Sequence, residues 1–221
     1  VNVADAFEGR VIDGPVRGAK VYVQCSDGVT SNGEIMTQSD SEGGYFLSKA
    51  CSEGFTAQFL ISFGGVDTLT NEAMPNLALT ADIPTDPSKS LYITPVSTLI
   101  ASQATPALKQ AVVDSFSFLD SAAGELSYEA ILSVDPWAGA QAGNDLETEM
   151  QSVNLLVGAI LQTAAQLVEG SSADPEASAL LITRLMSDQI LAVDDESLFT
   201  PGGLATIMNS ALTGYEEAGL D

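Results

Sequence analysis

The densest groups able to do chemistry are acidic. Asn144, Asp145, Glu147 and Glu149 form one cluster, and Asp194, Asp195 and Glu196 another. Calcium takes six to eight oxygen ligands from carboxylates, amides and carbonyls, so both clusters hold the right atom types. Neither has the EF-hand spacing, and Asp40-Ser41-Glu42-Gly43 is too short for it. The first cluster also sits at an expected helix start, where acids are favoured by the helix dipole. Loose screening by cations is therefore preferred over a specific calcium site, and no other cofactor is expected. Paired carboxylates could serve a glycan hydrolase, but 30 Asp and Glu among 221 residues will place some pair at a suitable separation by chance. A solvated acidic surface is the simpler reading. Trp137, the single tryptophan, stands beside Ala138, Gly139 and Ala140 in an expected loop between helices. It could stack on a sugar ring; the alternative is a plug in helix packing.

Other reactive groups are scarce. The chain has no histidine, which removes Ser-His-Asp and Cys-His dyads and histidine metal sites. Neither a G-x-x-x-x-G-K-S/T phosphate loop nor a G-x-S-x-G elbow occurs. Ser88-Lys89-Ser90 lies in a proline-rich stretch and is not backed as a dyad. Seven Lys and Arg against 30 acids give a net charge of −23, which repels phosphate and argues against nucleic acid. The expectation is a chain that is not an enzyme.

Cys25 and Cys51 each follow a stretch that reads as a strand. A bridge between them would close a loop worth about 3 kcal/mol and would imply export. The alternative is two buried thiols. No run of 18 apolar residues occurs, and the longest candidate, Val153–Val168, contains Asn154, Gln162, Thr163 and Gln166, so no membrane span is expected. The chain begins Val1-Asn2-Val3 without Met, read here as a mature product whose signal peptide has gone.

Texture and charge divide the chain. Residues 1–93 carry net −7 and residues 94–221 net −16. The first part is rich in Gly, Val, Thr and aromatics with frequent turn signals. It predicts strands at Ala6–Ile12, Ala19–Cys25, Glu34–Gln38, Gly44–Ser48, Thr56–Phe63 and Leu77–Ile83. The second part predicts helices. Thr94-Pro95, Asp135-Pro136, Asp174-Pro175 and Thr200-Pro201 each place a capping residue before proline. Leu108, Ala111, Val112, Ser115, Phe116 and Leu119 follow one helical stripe, and Val153 to Val168 carries another. The expected fold is α+β: an N-terminal antiparallel β-sandwich (residues 1–84), its prealbumin or Ig-like type implied by the resemblance given next, a Pro-rich linker (85–93) and an α-helical bundle domain (94–221).

The run Gly9-Arg10-Val11-Ile12-Asp13-Gly14-Pro15-Val16-Arg17-Gly18-Ala19-Lys20-Val21, with Thr37 and Gly43-Gly44-Tyr45-Phe46 after it, resembles carboxypeptidase regulatory-like, prealbumin-type β-sandwich modules. Thr94-Pro95-Val96-Ser97-Thr98-Leu99-Ile100 and Asp135-Pro136-Trp137 are similar to helical segments that follow such modules in secreted bacterial surface proteins. The resemblance implies an exported surface, adhesive or scaffolding protein of bacterial origin. Its motifs specify turns and caps rather than chemistry.

Val1, Val3 and Phe7 share one face at period two, interrupted by Asp5. An extended arm of this kind could add a strand to another copy, giving head-to-tail contacts and filaments. Equally, it could begin the first strand of its own sheet. The leading expectation is a non-catalytic subunit that assembles with copies of itself into an extracellular filament or surface layer. The alternatives are an adhesin module that binds glycan or peptide, and a carboxylate-dependent glycan hydrolase.

Overall fold

The structure, a computed structural model, describes residues 7–26, 31–47, 51–83, 89–116, 127–167, 174–192 and 201–217. It is a mixed α+β protein. Among the described residues nine strands come first: β1 (Phe7–Val11), β2 (Val16–Arg17), β3 (Lys20–Ser26), β4 (Ser31–Gln38), β5 (Gly44–Leu47), β6 (Thr56–Phe63), β7 (Val66–Asp67), β8 (Ala78–Asp82) and β9 (Leu91–Ile93). The helices described after them are α1 (Pro95–Ala101), α2 (Pro106–Asp114), α3 (Tyr128–Ile131), α4 (Pro136–Gln141), α5 (Asp145–Leu167), α6 (Pro175–Ala192) and α7 (Pro201–Glu217).

The six anticipated strands are present, within a few residues of their expected ends. They form a four-stranded sheet in the order β4-β3-β6-β8 and a three-stranded sheet in the order β5-β1-β9, beside a small β2-β7 pair. All pairs are antiparallel except β1 with β9, which is parallel. β9 corrects the expected linker: residues 84–88 lie outside the described residues, but Leu91–Ile93 belong to the sheet. Leu91 and Ile93 are buried on one face with Tyr92 on the other, the alternation a half-buried strand requires. Three residues are too few to signal this against a proline-rich background.

Alternation also explains the core. Val21, Val23 and Cys25 on β3 are fully buried, while Tyr22 and Gln24 face the other way. Cys25 and Cys51 form the anticipated disulfide, with Cα atoms 5.7 Å apart. At the β4–β5 turn Gly43 is required twice over. Its φ is +77°, and a Cβ there would meet the Val11 carbonyl.

Helix α1 shows why the Thr-Pro signal matters. Thr94 Oγ1 accepts from Ser97 N–H (3.0 Å) and Ser97 Oγ accepts from Thr94 N–H (2.8 Å), a reciprocal capping box. The same hydroxyls then reach the sheet. Ser97 Oγ–H donates to Thr80 O (2.6 Å), and Thr80 N–H donates to Thr98 Oγ1 (2.9 Å). Lys109 of α2 pairs with Asp82 of β8, and the Tyr22 hydroxyl of β3 contacts Glu176 of α6. One cluster of buried apolar side chains runs from Val11 and Val21 through Leu99 and Phe116 to Val157 and Met186. Helix α5 packs on α1, α4, α6 and α7.

Two stripe positions are corrected. Leu108 is exposed at the start of α2, which buries Val112 and Val113, with Phe116 buried just beyond its end. Leu167 is exposed at the end of α5. Where a helix ends, its last turn has no neighbour to cover the stripe.

Gly158 on α5 gives a prediction. A Cβ there would overlap the Asp13 carboxyl, which rests directly on the helix. Helix propensity alone favours alanine by about 1 kcal/mol. Gly158→Ala is nevertheless expected to lower stability by about 1–3 kcal/mol, because the overlap must be relieved by movement of a buried acid. Urea unfolding checks the sign, and a gain would show that the contact is slack.

Candidate functional site

A concavity lies along one flank of the three-stranded sheet. On β1, Phe7, Gly9 and Val11 point inward, so Glu8 and Arg10 point outward. Register places Phe46 of β5 opposite Glu8, and Tyr92 of β9 opposite Arg10. With Thr37 and Gln38 of β4, Asp40 and Asp135 they line a groove of about 530 Å³.

Arg10 is the fixed point. Asp135 caps α4 by accepting Ala138 N–H at Oδ1 (2.8 Å), and its Oδ2 lies 3.4 Å from Arg10. Glu42 also approaches Arg10 at 3.7 Å but is 78% exposed, so it contributes little beside Asp135 at 17%. Asp40 is used by the β4–β5 turn, accepting Glu42 N–H and Gly44 N–H at 2.8 Å each. Glu8 has no partner among the described residues. Four carboxylates against one guanidinium make the groove negative and repel anions. Burial raises the Tyr92 hydroxyl pKa, Asp135 and Glu8 add to this, and Ser90 and Arg10 oppose it. Tyr92 therefore enters neutral solution as a phenol, able to donate and to stack. The groove can accept and donate hydrogen bonds between two aromatic rings, Phe46 and Tyr92. A smaller cavity of about 200 Å³ separates Phe59, Ile61 and Thr80 from Leu180, Thr183 and Arg184 of α6.

The sheet edges differ sharply. The outer edge of β8 is covered by the Ser97 and Thr98 hydroxyls, and that of β9 by Tyr92 N–H donating to Leu132 O (3.1 Å). β4 and β5 are the opposite edges of the two sheets. Among the described residues nothing hydrogen-bonds along their outer sides. Each also presents a large apolar side chain to solvent, Met36 at 66% and Phe46 at 55% exposure.

Other anticipated site residues are dispersed. Val1 and Val3 lie outside the described residues. Phe7, expected in the assembly arm, is instead paired with Leu47 in its own sheet and packed against the core. Asn144, Asp145, Glu147 and Glu149 straddle the start of α5 without converging. Asn144 Nδ2 donates to Glu147 (3.3 Å), Glu147 packs against the Gly139 position of α4, and Asp145 is exposed. Among the described residues, no group of three or more His, Cys, Asp and Glu is placed to hold a metal ion. Asp194, Asp195 and Glu196 lie outside the described residues. Trp137 is in the first turn of α4, not in a loop, and is half-buried; it does not line the groove. Glu8, Arg10, Phe46 and Tyr92 were not anticipated as a set. Their outward alternation is visible in each strand, but nothing local reveals that Asp135 meets Arg10.

No protein-family model, no curated protein and no solved structure matches this chain. Its function has to be argued from its own geometry. Among the described residues, no helix is long and apolar enough to cross a membrane.

Proposed function

We propose that the chain is an exported, non-catalytic structural subunit that assembles with copies of itself into an extracellular filament or surface layer. The three- and four-stranded sheets are then the leaves of a prealbumin- or Ig-like sandwich, joined to an α-helical bundle, as in the surface proteins the sequence resembles. One contrast carries the reading: β8 and β9 are closed by side chains and backbone of the helical half, while β4 and β5, among the described residues, have no backbone partner on their outer sides and expose Met36 and Phe46. An unprotected edge is a template for another strand, and proteins that stay monomeric blunt it with charge, proline or a cover. Residues 1–6, upstream of β1 in the sequence, are the segment proposed as donor. The disulfide supports export, and the −23 charge keeps assembled copies soluble and apart.

Met36→Lys and Phe46→Lys each place a cation on an open edge without touching the core. Stability is expected to stay within about 0.5 kcal/mol of the parent. Polymers seen by negative stain are expected to be lost in at least one variant. Polymers undiminished in both would refute edge pairing, and polymers surviving deletion of residues 1–6 would refute that segment as the donor.

The groove favours a second reading, an adhesin module for a neutral glycan or a peptide. Hydrogen-bonding groups fixed between Phe46 and Tyr92 suit a polyhydroxylated ligand, and the negative charge disfavours an anionic one. Glycan-array binding lost in Tyr92→Ala and Arg10→Ala but kept in Trp137→Ala would support it; a monomer that binds nothing would not.

A further inference from the structure

The turn between β1 and β2 pushes an acid against the helical half. Asp13 is 7% exposed, and its carboxyl rests on the bare backbone of Gly158 in α5. No donor or cation partners that carboxyl among the described residues. About two turns earlier on the same helix face, Gln151 donates Nε2–H to the Asp13 carbonyl (3.0 Å), leaving its buried Oε1 without a partner. Asn154, between them, is held by Val96 N–H at its Oδ1 (3.0 Å). The turn is therefore clamped to α5 through one backbone carbonyl and one buried, unpaired acid.

We propose that Asp13 is a proton-operated clasp between the β-sheet half and helix α5, closed when its carboxyl is neutral and loosened when it ionises. A neutral carboxyl can sit on a glycine backbone and has an unused acceptor, Gln151 Oε1, on the same helix face. An anion there gives up most of its hydration with no cation in return among the described residues. No cation stands near it among the described residues, and the unused donor on this helix face is Asn154 Nδ2, buried and without a partner. From β7 comes Asp67, a second acid, whose oxygens already accept from Leu69 N–H (2.7 Å) and Thr70 Oγ–H (3.0 Å). Residues 151–158 of α5 carry no charge, nor do Ile12, Gly14 and Pro15. Burial first, and Asp67 second, push the Asp13 pKa from 3.8 to about 7.

The sign follows from proton binding. An opened segment holds Asp13 at its ordinary pKa of 3.8, while the closed form keeps its proton up to about pH 7. Between those values the closed form binds the extra proton. Raising the pH therefore eases opening about tenfold per unit, and the effect levels off above pH 7. Protein passing from an acidic to a neutral medium loses grip on α5; the reverse passage tightens it.

Hydrogen exchange on the full chain tests this, read as protection of the turn and of α5 around residues 151–158. Between pH 5.5 and 8 the parent is expected to lose about thirtyfold in protection, then level. Asp13→Asn, neutral at every pH, should be flat over that window. Asp67→Asn should level at lower pH, because a repelling charge has gone. A flat parent, or an unchanged slope in Asp13→Asn, overturns the clasp. A direct readout needs no variant: carbon-13 titration of the Asp13 carboxyl in the parent should show a midpoint near that levelling point. A midpoint in the ordinary carboxylate range overturns it.

Discussion

Replacing Lys109 by methionine is expected to destabilise the protein by about 3–5 kcal/mol, a large share of the total stability of an ordinary domain. Asp82 closes β8 and Lys109 stands on α2; their side chains are 12% and 14% exposed. No other cation reaches Asp82 among the described residues. On its open side lies Tyr128, whose hydroxyl is held above its ordinary pKa by burial first, then by Glu129 and Asp82. Removing the lysine thus leaves a buried anion beside a phenol that resists ionising. The cost comes from the orphaned charge, not from the worth of the pair. Lys109→Met combined with Asp82→Leu is accordingly expected to recover most of the loss. Urea unfolding of the two single variants and the double checks this. A single variant within 1 kcal/mol of the parent would mean that water reaches Asp82 freely.

Reducing the disulfide has the next largest effect. Cys25 and Cys51 are separated by 26 positions, and opening a loop of that size costs about 3 kcal/mol through the entropy of the unfolded chain. Cys25 is fully buried, so its thiol remains a small apolar side chain and packing changes little. The expected result for the Cys25→Ala, Cys51→Ala pair is a melting point lower by about 6–12 °C with an unchanged circular-dichroism spectrum. An unchanged melting point would show that the bond adds nothing to the fold, and would weaken the argument for export.

Local patterns were legible and long-range meetings were not. Period-two alternation found β3 to within a residue, because one of its faces is packed against the core; β6 was legible as an apolar run between turn signals and buries Leu60, Ile61 and Ser62 in succession. The proline-cap signal found α1, α4, α6 and α7, because the first turn of a helix is specified by its own residues. The same signal said nothing of where Ser97 and Thr98 would go next, which is the outer edge of β8. Strands β2, β7 and β9 escaped because two or three residues carry no period; β9 was hidden further by the prolines before it. The groove shows the same division. Glu8 and Arg10 alternate visibly, but Arg10 acquires its meaning from Asp135, a helix cap far along the chain. Acidic clusters misled in the opposite direction. Asp145 and Glu147 adjoin in sequence, yet a helix turns neighbours two apart to opposite sides, so the density of acids along the chain did not become a site.

The proposed edge pairing agrees with how the two halves are built. The helical half covers β8 and β9, and the turn at Asp13 and Gly158 locks the sheet to α5. Among the described residues, nothing covers the flank where β4 and β5 expose Met36 and Phe46. Sedimentation of the native protein across a range of concentrations, with images of the same samples, tests this account most directly. It predicts polymers of regular repeat that grow with concentration and disappear when β4 or β5 carries a lysine. A monomer at every concentration, with both edges intact, would contradict it.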